Sequence, residues 1–551
     1  MTRSALSRAG RWLAAAAVPA LIAIGAMSSA HAREIVDATP PTSLAVTVYR
    51  DAERGEGGEM DPRWPRGFAM ISETRRVTLP PGTSTIRFSG VAEGMVAVSA
   101  IVTGLPGGTI EKNRNAELLS PAALVNGMLG NRITVTRTNP ATGVASSEEG
   151  IVRTRADGGL VLQTSQGFEA VRCAGIPEKL TFPSVPDGLS AQPVFTIDTR
   201  DDAGGTYDIT LSYLAWGFDW QAHYVATLDE GRDDNRVSMR LLSWLTVLND
   251  NGQSFENAEL MAVAGKLNIV TDMESLAEPP VAAPLRLTCY PFGSTAAGTP
   301  VVVPPPPPAP SPMEDYDEQE MIVVTGSRAK APMAMAAAPE IAMQAAEEQL
   351  GDLKLYRVPE PITVNAKGMK QVAFLNKQAV KGEFLYVAGC DPYDTFDRID
   401  DESDMERTSI LLATRNLKEN GLGVALPMGG ITVFEPADGG PRLVGENSLR
   451  DYAVGQEVEI EMGESAQVFS ECAATGDASP DDDGRPWVDM KLLLTNANPG
   501  AVRVRADLGW ASELEVKGLR GTRLKDGNRI FETTVRGNGR RELTFKVRRS
   551  S

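Results

Sequence analysis

Carboxylates are the one chemically active group that this 551-residue chain holds in abundance: 72 Asp and Glu stand against 54 Lys and Arg, with only 2 His and 4 Cys. One histidine, His31, sits in the leading segment, so a Ser-His-Asp triad, a Cys-His pair or a multi-His metal site would each have to use His223. No G-x-S-x-G, P-loop, dinucleotide fingerprint or H-E-x-x-H occurs. The spacing therefore nominates no catalytic residue, no metal ligand set and no cofactor. Two acidic stretches, DPYDTFDRIDDESDMER (Asp391 to Arg407) and ASPDDDGRP (Ala478 to Pro486), are rich in oxygen, but neither has the spacing of a dedicated calcium loop. They read as solvated loops. Paired carboxylates can hydrolyse a glycosidic bond without histidine. That keeps a carboxylate-dependent glycan-active enzyme as the alternative to a binding or scaffold module, although no acid pair is marked out. Large rings supply the other candidate chemistry. Trp216, Trp220, Tyr224 and Trp244 fall on strand-like sequence, where they serve either as sandwich core or as a platform on which a sugar ring stacks.

Cysteine usage fits an oxidising compartment without a redox motif. Cys173, Cys289, Cys390 and Cys472 form no C-x-x-C pair and allow three connectivities. Chain order favours Cys390 with Cys472 and Cys173 with Cys289, with free buried thiols as the competing reading.

The elements that must position these groups are strands. Gly and Pro are frequent (52 and 37 residues) and aromatics make up only 6%, which favours short strands and tight turns. LAVTVYR, ETRRVTLPPGTSTIRFSGV and VAVSAIVTGL alternate and break at Pro-Pro-Gly and Gly, giving an amino-terminal β domain over 33–112 with Glu53 to Gly67 as a hairpin loop. Over 113–178 a short helix, with Ser120 as N-cap and Pro121 in its first turn, leads into strands near 132–138, 150–155, 159–163 and 168–172. This pattern predicts a small SH3-like or Sm-like barrel. From 185 to 551 a larger region reads as Ig-like β-sandwich, with a second sandwich from about 450. Three times there an apolar strand ends in Asn before a turn and a new strand: at Asn249, Asn416 and Asn496. Asn tolerates left-handed backbone and bonds its own chain, which suits that place. Residues 278–346 interrupt the pattern as a disordered Pro-rich, acidic and Ala/Met-rich insertion. Pro304 to Pro312 would reach roughly 28 Å as polyproline II. The fold class is thus all-β and multi-domain.

Within that insertion, DEQEMIVVTGSR (Asp317 to Arg328) resembles the first residues of mature TonB-dependent outer-membrane receptors. The resemblance implies a strand, Ile322-Val323-Val324-Thr325, that adds to the open sheet edge of an energy-transducing partner. Only about 220 residues follow it, too few for a 22-strand barrel. It would make the protein an accessory of TonB-linked transport, not a receptor. A longer resemblance runs from about Val185 to Arg549. LSYLAWGFDWQAHYVATLDE, LTVLNDNGQSFENAELMAVAG, LYRVPEPITVNAKGMKQVAFL and NGLGVALPMGGITVFEPADGGPRLVGENSLRDYAVGQEVEIEMGES resemble the mucoidy-inhibitor-A-like secreted bacterial proteins, which carry a domain of unknown function. The amino-terminal strands resemble that family's first domain. The chain departs from its longer members by lacking a coiled coil there and by carrying the proline insertion. The resemblance implies a link to capsule or exopolysaccharide and no defined chemistry.

Location follows from the first 32 residues. Arg3, Arg8 and Arg11 precede an apolar run from Trp12 to Met27, and Ala30-His31-Ala32 supplies a small-residue cleavage site. This predicts a cleaved signal peptide and a periplasmic or secreted protein of a Gram-negative-type envelope. Its loss would take the net charge from −18 to about −21. Nucleic acid is excluded as a partner by that sign. The remaining partners are an envelope protein or a glycan, met by a chain with no further apolar run long enough to span a bilayer.

Overall fold

A computed structural model of the protein describes residues 33–550 apart from 116, 157–158, 172–177, 187, 230–234, 278, 281, 286–342, 392–404, 439, 476–478 and 481–485. Strands make up 61% and helices 4%, so the chain is all-β and multi-domain. No helix among the described residues is long and apolar enough to cross a membrane.

The first sandwich is organised by one long strand, Gly205–Leu228. Its first half pairs with Gly67–Leu79 on one side and Met95–Thr103 on the other. Gly67–Leu79 continues the sheet to Ser43–Tyr49, which runs parallel to Phe255–Ala264. The second half pairs with Arg236–Asn249 and, in parallel, with Gly429–Glu435, and so belongs to the opposing sheet. The transfer happens at a bulge between Trp216 and Phe218. Gly217 has φ +86° there, and a Cβ on it would sit 3.1 Å from Asn251 Nδ2, so glycine suits both the backbone and the space. The bulge also changes which residues face inward. Ile209, Leu211, Tyr213 and Ala215 are buried before it, and Phe218, Trp220, Ala222 and Tyr224 after it. A strand's side chains alternate with period two, so the extra residue moves the buried set from odd to even positions.

A second long strand, Gly368–Gly389, joins the sandwiches. Residues 368–383 pair with Arg236–Asn249 in the first. Residues 383–387 then pair with Glu406–Arg415, whose Leu412 still packs in the first core, and 385–389 lie parallel to Val502–Trp510 in the second. The opposing sheet of the second sandwich is built from residues 468–474 of the strand Glu457–Ala474, Pro486–Asn496, Gly539–Arg549 and Leu514–Lys517. Its core runs from Ala388 and Cys390 through Val468, Leu492 and Val504 to Phe545 and Val547. Burying each such aliphatic or aromatic side chain contributes roughly 1.5–3 kcal/mol. This sandwich therefore begins inside the strand ending at Gly389, and not at about 450. The reason is that one strand serves two bodies, which leaves no linker to read.

The expected amino-terminal domain is likewise not separate. Three of its strands are woven into the first sandwich. Glu34–Asp37 and Gly82–Ser89 form a four-stranded sheet with Val194–Asp201 and Glu111–Arg114, and its Phe88 and Phe195 join the same core. The small body is inserted between Glu111–Arg114 and Val194–Asp201, two strands that pair with each other. It holds the helix Pro121–Gly127, where Ser120 Oγ accepts from Ala123 N at 3.2 Å. Five antiparallel strands follow, ordered 167–170, 161–164, 145–152, 132–138, 178–181 around one core of Val125, Ile133, Val135, Val152 and Leu162.

The three strand-ending asparagines bond their own chain as expected, but from a different backbone. None has a left-handed backbone. Asn249, Asn416 and Asn496 are buried to 0%, 0% and 2% exposure, and each side chain staples its own turn to another segment. Asn249 Nδ2 donates to the carbonyls of Gln253 (2.9 Å) and Asn365 (3.0 Å), while its Oδ1 accepts from Asn251 N (3.0 Å). Asn416 Nδ2 donates to Val424 O and Ala453 O and its Oδ1 accepts from Gly423 N. Asn496 Nδ2 serves Gly500 O, Val535 O and Arg536 O, and its Oδ1 accepts from Asn498 N. Turns that carry the chain from one sheet to the other leave carbonyls without ladder partners. A buried amide is the smallest group that can satisfy several of them at once.

Candidate functional site

The four rings nominated by sequence do not meet at a surface. Trp220 and Tyr224 lie in the first core, where Trp220 Nε1 donates to Val263 O at 3.1 Å and Tyr224 OH to Pro427 O at 2.6 Å. Tyr224 and Tyr356 pack edge-on to Phe374, and Trp220 edge-on to Tyr356. Trp216 precedes the bulge on the outward set, and Trp244 pairs opposite His223, outside the second sheet. The bulge and the period-two alternation divide the rings between faces, so they offer no common stacking platform. The His223 ring meets Thr246 Oγ1 at 3.3 Å, and no triad forms around it among the described residues.

Cys390 and Cys472 are joined in a disulfide, with Cα atoms 5.4 Å apart, across the two sheets of the second sandwich. Cys173 and Cys289, the strand Ile322-Val323-Val324-Thr325, and most of both acidic loops lie outside the described residues.

A loop and a strand of the first sandwich form one charged cluster. Asp219, 1% exposed, binds the Arg54 guanidinium and accepts from Asp51 N at 3.2 Å, while Arg54 also donates to Trp220 O at 3.0 Å. Gln221 Oε1 accepts from Met60 N at 2.6 Å. These bonds pin the Glu53 to Gly67 loop over the strand. Burial pushes the Asp219 carboxyl up to about 6, with Arg54 pulling it back. A carboxyl raised in the folded state stabilises most when protonated. Its contribution is full below its ordinary value of 3.8 and is lost as pH rises through about 6. Between pH 7.5 and pH 4.5 the wild type should gain about 2 kcal/mol over Asp219→Asn in denaturant unfolding, since each tenfold difference in proton affinity between folded and unfolded chain is worth about 1.4 kcal/mol. A pH-independent gap between the two proteins would refute this.

The most distinctive chemistry lies on Gly67–Leu79, at positions the sequence reading passed over. Ala69, Ile71, Val77 and Leu79 point inward, and the same row carries Glu73 and Arg75, 2% and 4% exposed. Arg75 Nη2 donates to Glu73 Oε2 at 3.0 Å and Nη1 to Ser89 O at 3.0 Å, with the guanidinium 6.0 Å from the Phe88 ring centroid. Among the described residues, Glu73 Oε1 and Arg75 Nε have no hydrogen-bond partner. Burial pushes the Glu73 carboxyl up, and Arg75 opposes this. Both side chains line a cleft of about 920 Å³ walled by Pro40 to Leu44, Ser89, Gly90 and Glu93, Ala191 to Pro193 and Gly252 to Asn257. The walls are braced: Asn251 bonds Gly94 N and Trp216 O, and Glu93 accepts from Gly252 N. Glu73, Glu93 and Glu256 outnumber Arg75 in this lining. A rigid, polar, net-negative cleft with a half-bonded buried carboxylate is equipped to hold a hydrogen-bond donor. The sequence signal was present in ISETRRVTL: once Ile71 and Val77 are read as inward, alternation puts Glu73 and Arg75 inward too.

No family model and no curated protein matches this chain.

Proposed function

We propose that this is an exported cell-envelope binding module, related to the mucoidy-inhibitor-A-like secreted proteins, and that it holds its ligand in the Glu73–Arg75 cleft. The observation that carries the reading is the Glu73–Arg75 pair, 2% and 4% exposed, in the lining of a braced cleft of about 920 Å³, with Glu73 Oε1 buried and unsatisfied among the described residues. Leaving such an oxygen unpaired costs about 1–3 kcal/mol, more for a charged group, and a ligand donor admitted by a side-chain shift of the pair relieves part of that cost. Hydroxyl groups of a saccharide and amines of an amino sugar both supply such donors. Export is supported by the position of the first strand, Glu34–Asp37, which starts two residues after the expected cleavage point at Ala32.

The test is saturation-transfer NMR on the purified protein with neutral cello-oligosaccharides and with glucosamine oligomers, repeated on Glu73→Gln. Glutamine keeps an acceptor for Arg75 and removes the charge. The expected result is transfer to one of the two classes and an affinity roughly 10- to 100-fold weaker in Glu73→Gln, as for loss of a charge-assisted hydrogen bond. Absence of transfer to both, or unchanged affinity in the variant, would overturn this assignment.

A further inference from the structure

At the joint between the two sandwiches lies a second cleft, of about 540 Å³. Each carboxylate in its lining is already taken. Glu383 pairs with Arg503, and Glu532 is shared by Arg503 at 2.7 Å, Arg505 at 3.2 Å and Arg523 at 2.7 Å. Glu459 holds Arg505, itself 6% exposed, at 2.8 Å, and Glu457 holds Lys525 at 3.1 Å. Three exposed cations of the same lining are left over: Arg236, Lys381 and Arg415 meet no carboxylate within 4.0 Å among the described residues.

Strand register explains why they stay unpaired and close together. Arg236 stands opposite Glu383, and Glu383 opposite Ala413. The paired stretch ends there; its register carried two residues further brings Lys381 beside Arg415, and the Thr414 hydroxyl donates to Lys381 O at 2.6 Å. Arg415 in turn faces Glu457, which Lys525 has claimed. Like charges directly opposite destabilise a sheet ladder unless an anion lies between them. The surplus is local, in a chain whose net charge is −18.

We propose that this joint binds a ligand carrying two or more oxyanions, carboxylate or phosphate. Arg236, Lys381 and Arg415 hold it from three strands of the first sandwich, on the side of the cleft that faces the Arg503, Arg505 and Glu532 cluster of the second. Guanidinium and ammonium groups recognise both oxyanions by charge-assisted hydrogen bonds. The site is independent of the Glu73 cleft and stands if that assignment fails.

Calorimetric titration of the purified protein at 50 mM NaCl with tri-galacturonate and, separately, with tripolyphosphate tests it. We expect one of the two to bind, identifying a uronate or a phosphate source, and Lys381→Ala/Arg415→Ala to weaken it at least 10-fold. Lys381→Arg/Arg415→Lys keeps both charges and should retain binding within about 3-fold, which separates loss of charge from loss of fold. Failure of both probes to bind the wild type, or equal binding by the alanine double variant, would overturn the proposal.

Discussion

Cys390→Ala/Cys472→Ala should lower the stability of the second sandwich by about 4 kcal/mol and leave the first sandwich unchanged. The bond closes a stretch with a sequence separation of 82 residues. Restricting a loop of that length in the unfolded chain contributes about 4 kcal/mol, between the values for 15- and 100-residue loops. It also bridges the two sheets inside the core formed by Val468, Leu492 and Val504, so its loss removes a cross-link and packed sulfur together. For a body of this size the melting midpoint should fall by roughly 10 °C. Differential scanning calorimetry resolves the two transitions, since a multi-domain chain need not unfold in one step. A double variant that melts with the wild type would show that the disulfide adds nothing to the folded state. Using the variant, and not a reductant, keeps Cys173 and Cys289 out of the measurement.

Asn496→Ala should cost about 4 kcal/mol, an effect of similar size from a single uncharged residue. Its amide serves three carbonyls from two segments, and truncation takes the donor from all of them, with Val535 on a buried residue and Gly500 and Arg536 on exposed ones. Each orphaned group costs about 1–3 kcal/mol, offset where water enters. Asn496→Asp is the sharper experiment. It keeps the volume and the acceptor for Asn498 N but turns the three donated bonds into repulsion between oxygens. The aspartate variant should therefore be less stable than the alanine variant at pH 7 and recover as its carboxyl is protonated in acid. Urea unfolding at pH 4 and pH 7 measures this, and an aspartate tolerated at pH 7 would refute the clamp. Asn249 and Asn416 carry the same design, and their alanine variants should fall in the same range.

The sequence exposed the all-β strand content well. Ser120, Pro121 and the strand near 132–138 stand where the cap rule and alternation put them, because these are local signals. Domain limits were hidden for a specific reason. Gly205–Leu228 and Gly368–Gly389 each belong to two sheets, and a continuous apolar strand carries no composition change at the crossing. The inward side of the rings was hidden by one glycine, since the bulge at Gly217 reverses alternation and nothing around it marks a turn. The three asparagines were visible as a recurrence, but their role depends on carbonyls as far as 116 residues away. Glu73 and Arg75 were readable from alternation alone and were overlooked because charged residues are ordinarily assigned to the wet face. The cations at the joint depend on register across four strands, which no spacing in the chain reveals.

The shared strands also dictate an order of events while the chain is made. Ser43–Tyr49 is among the first strands to emerge, yet its parallel neighbour ends at Ala264. At about 5–20 residues per second, roughly 10–40 s pass before that neighbour exists. The far half of Gly205–Leu228 then waits a similar time for Gly429–Glu435. Throughout that interval apolar strands of the amino-terminal half have open edges, the condition in which growing chains pair with the wrong partner. This protein therefore belongs to those whose yield is decided by what shelters the nascent chain and by how fast its second half is delivered. Slowing synthesis beyond residue 264 should lower the folded fraction more than slowing it before residue 43.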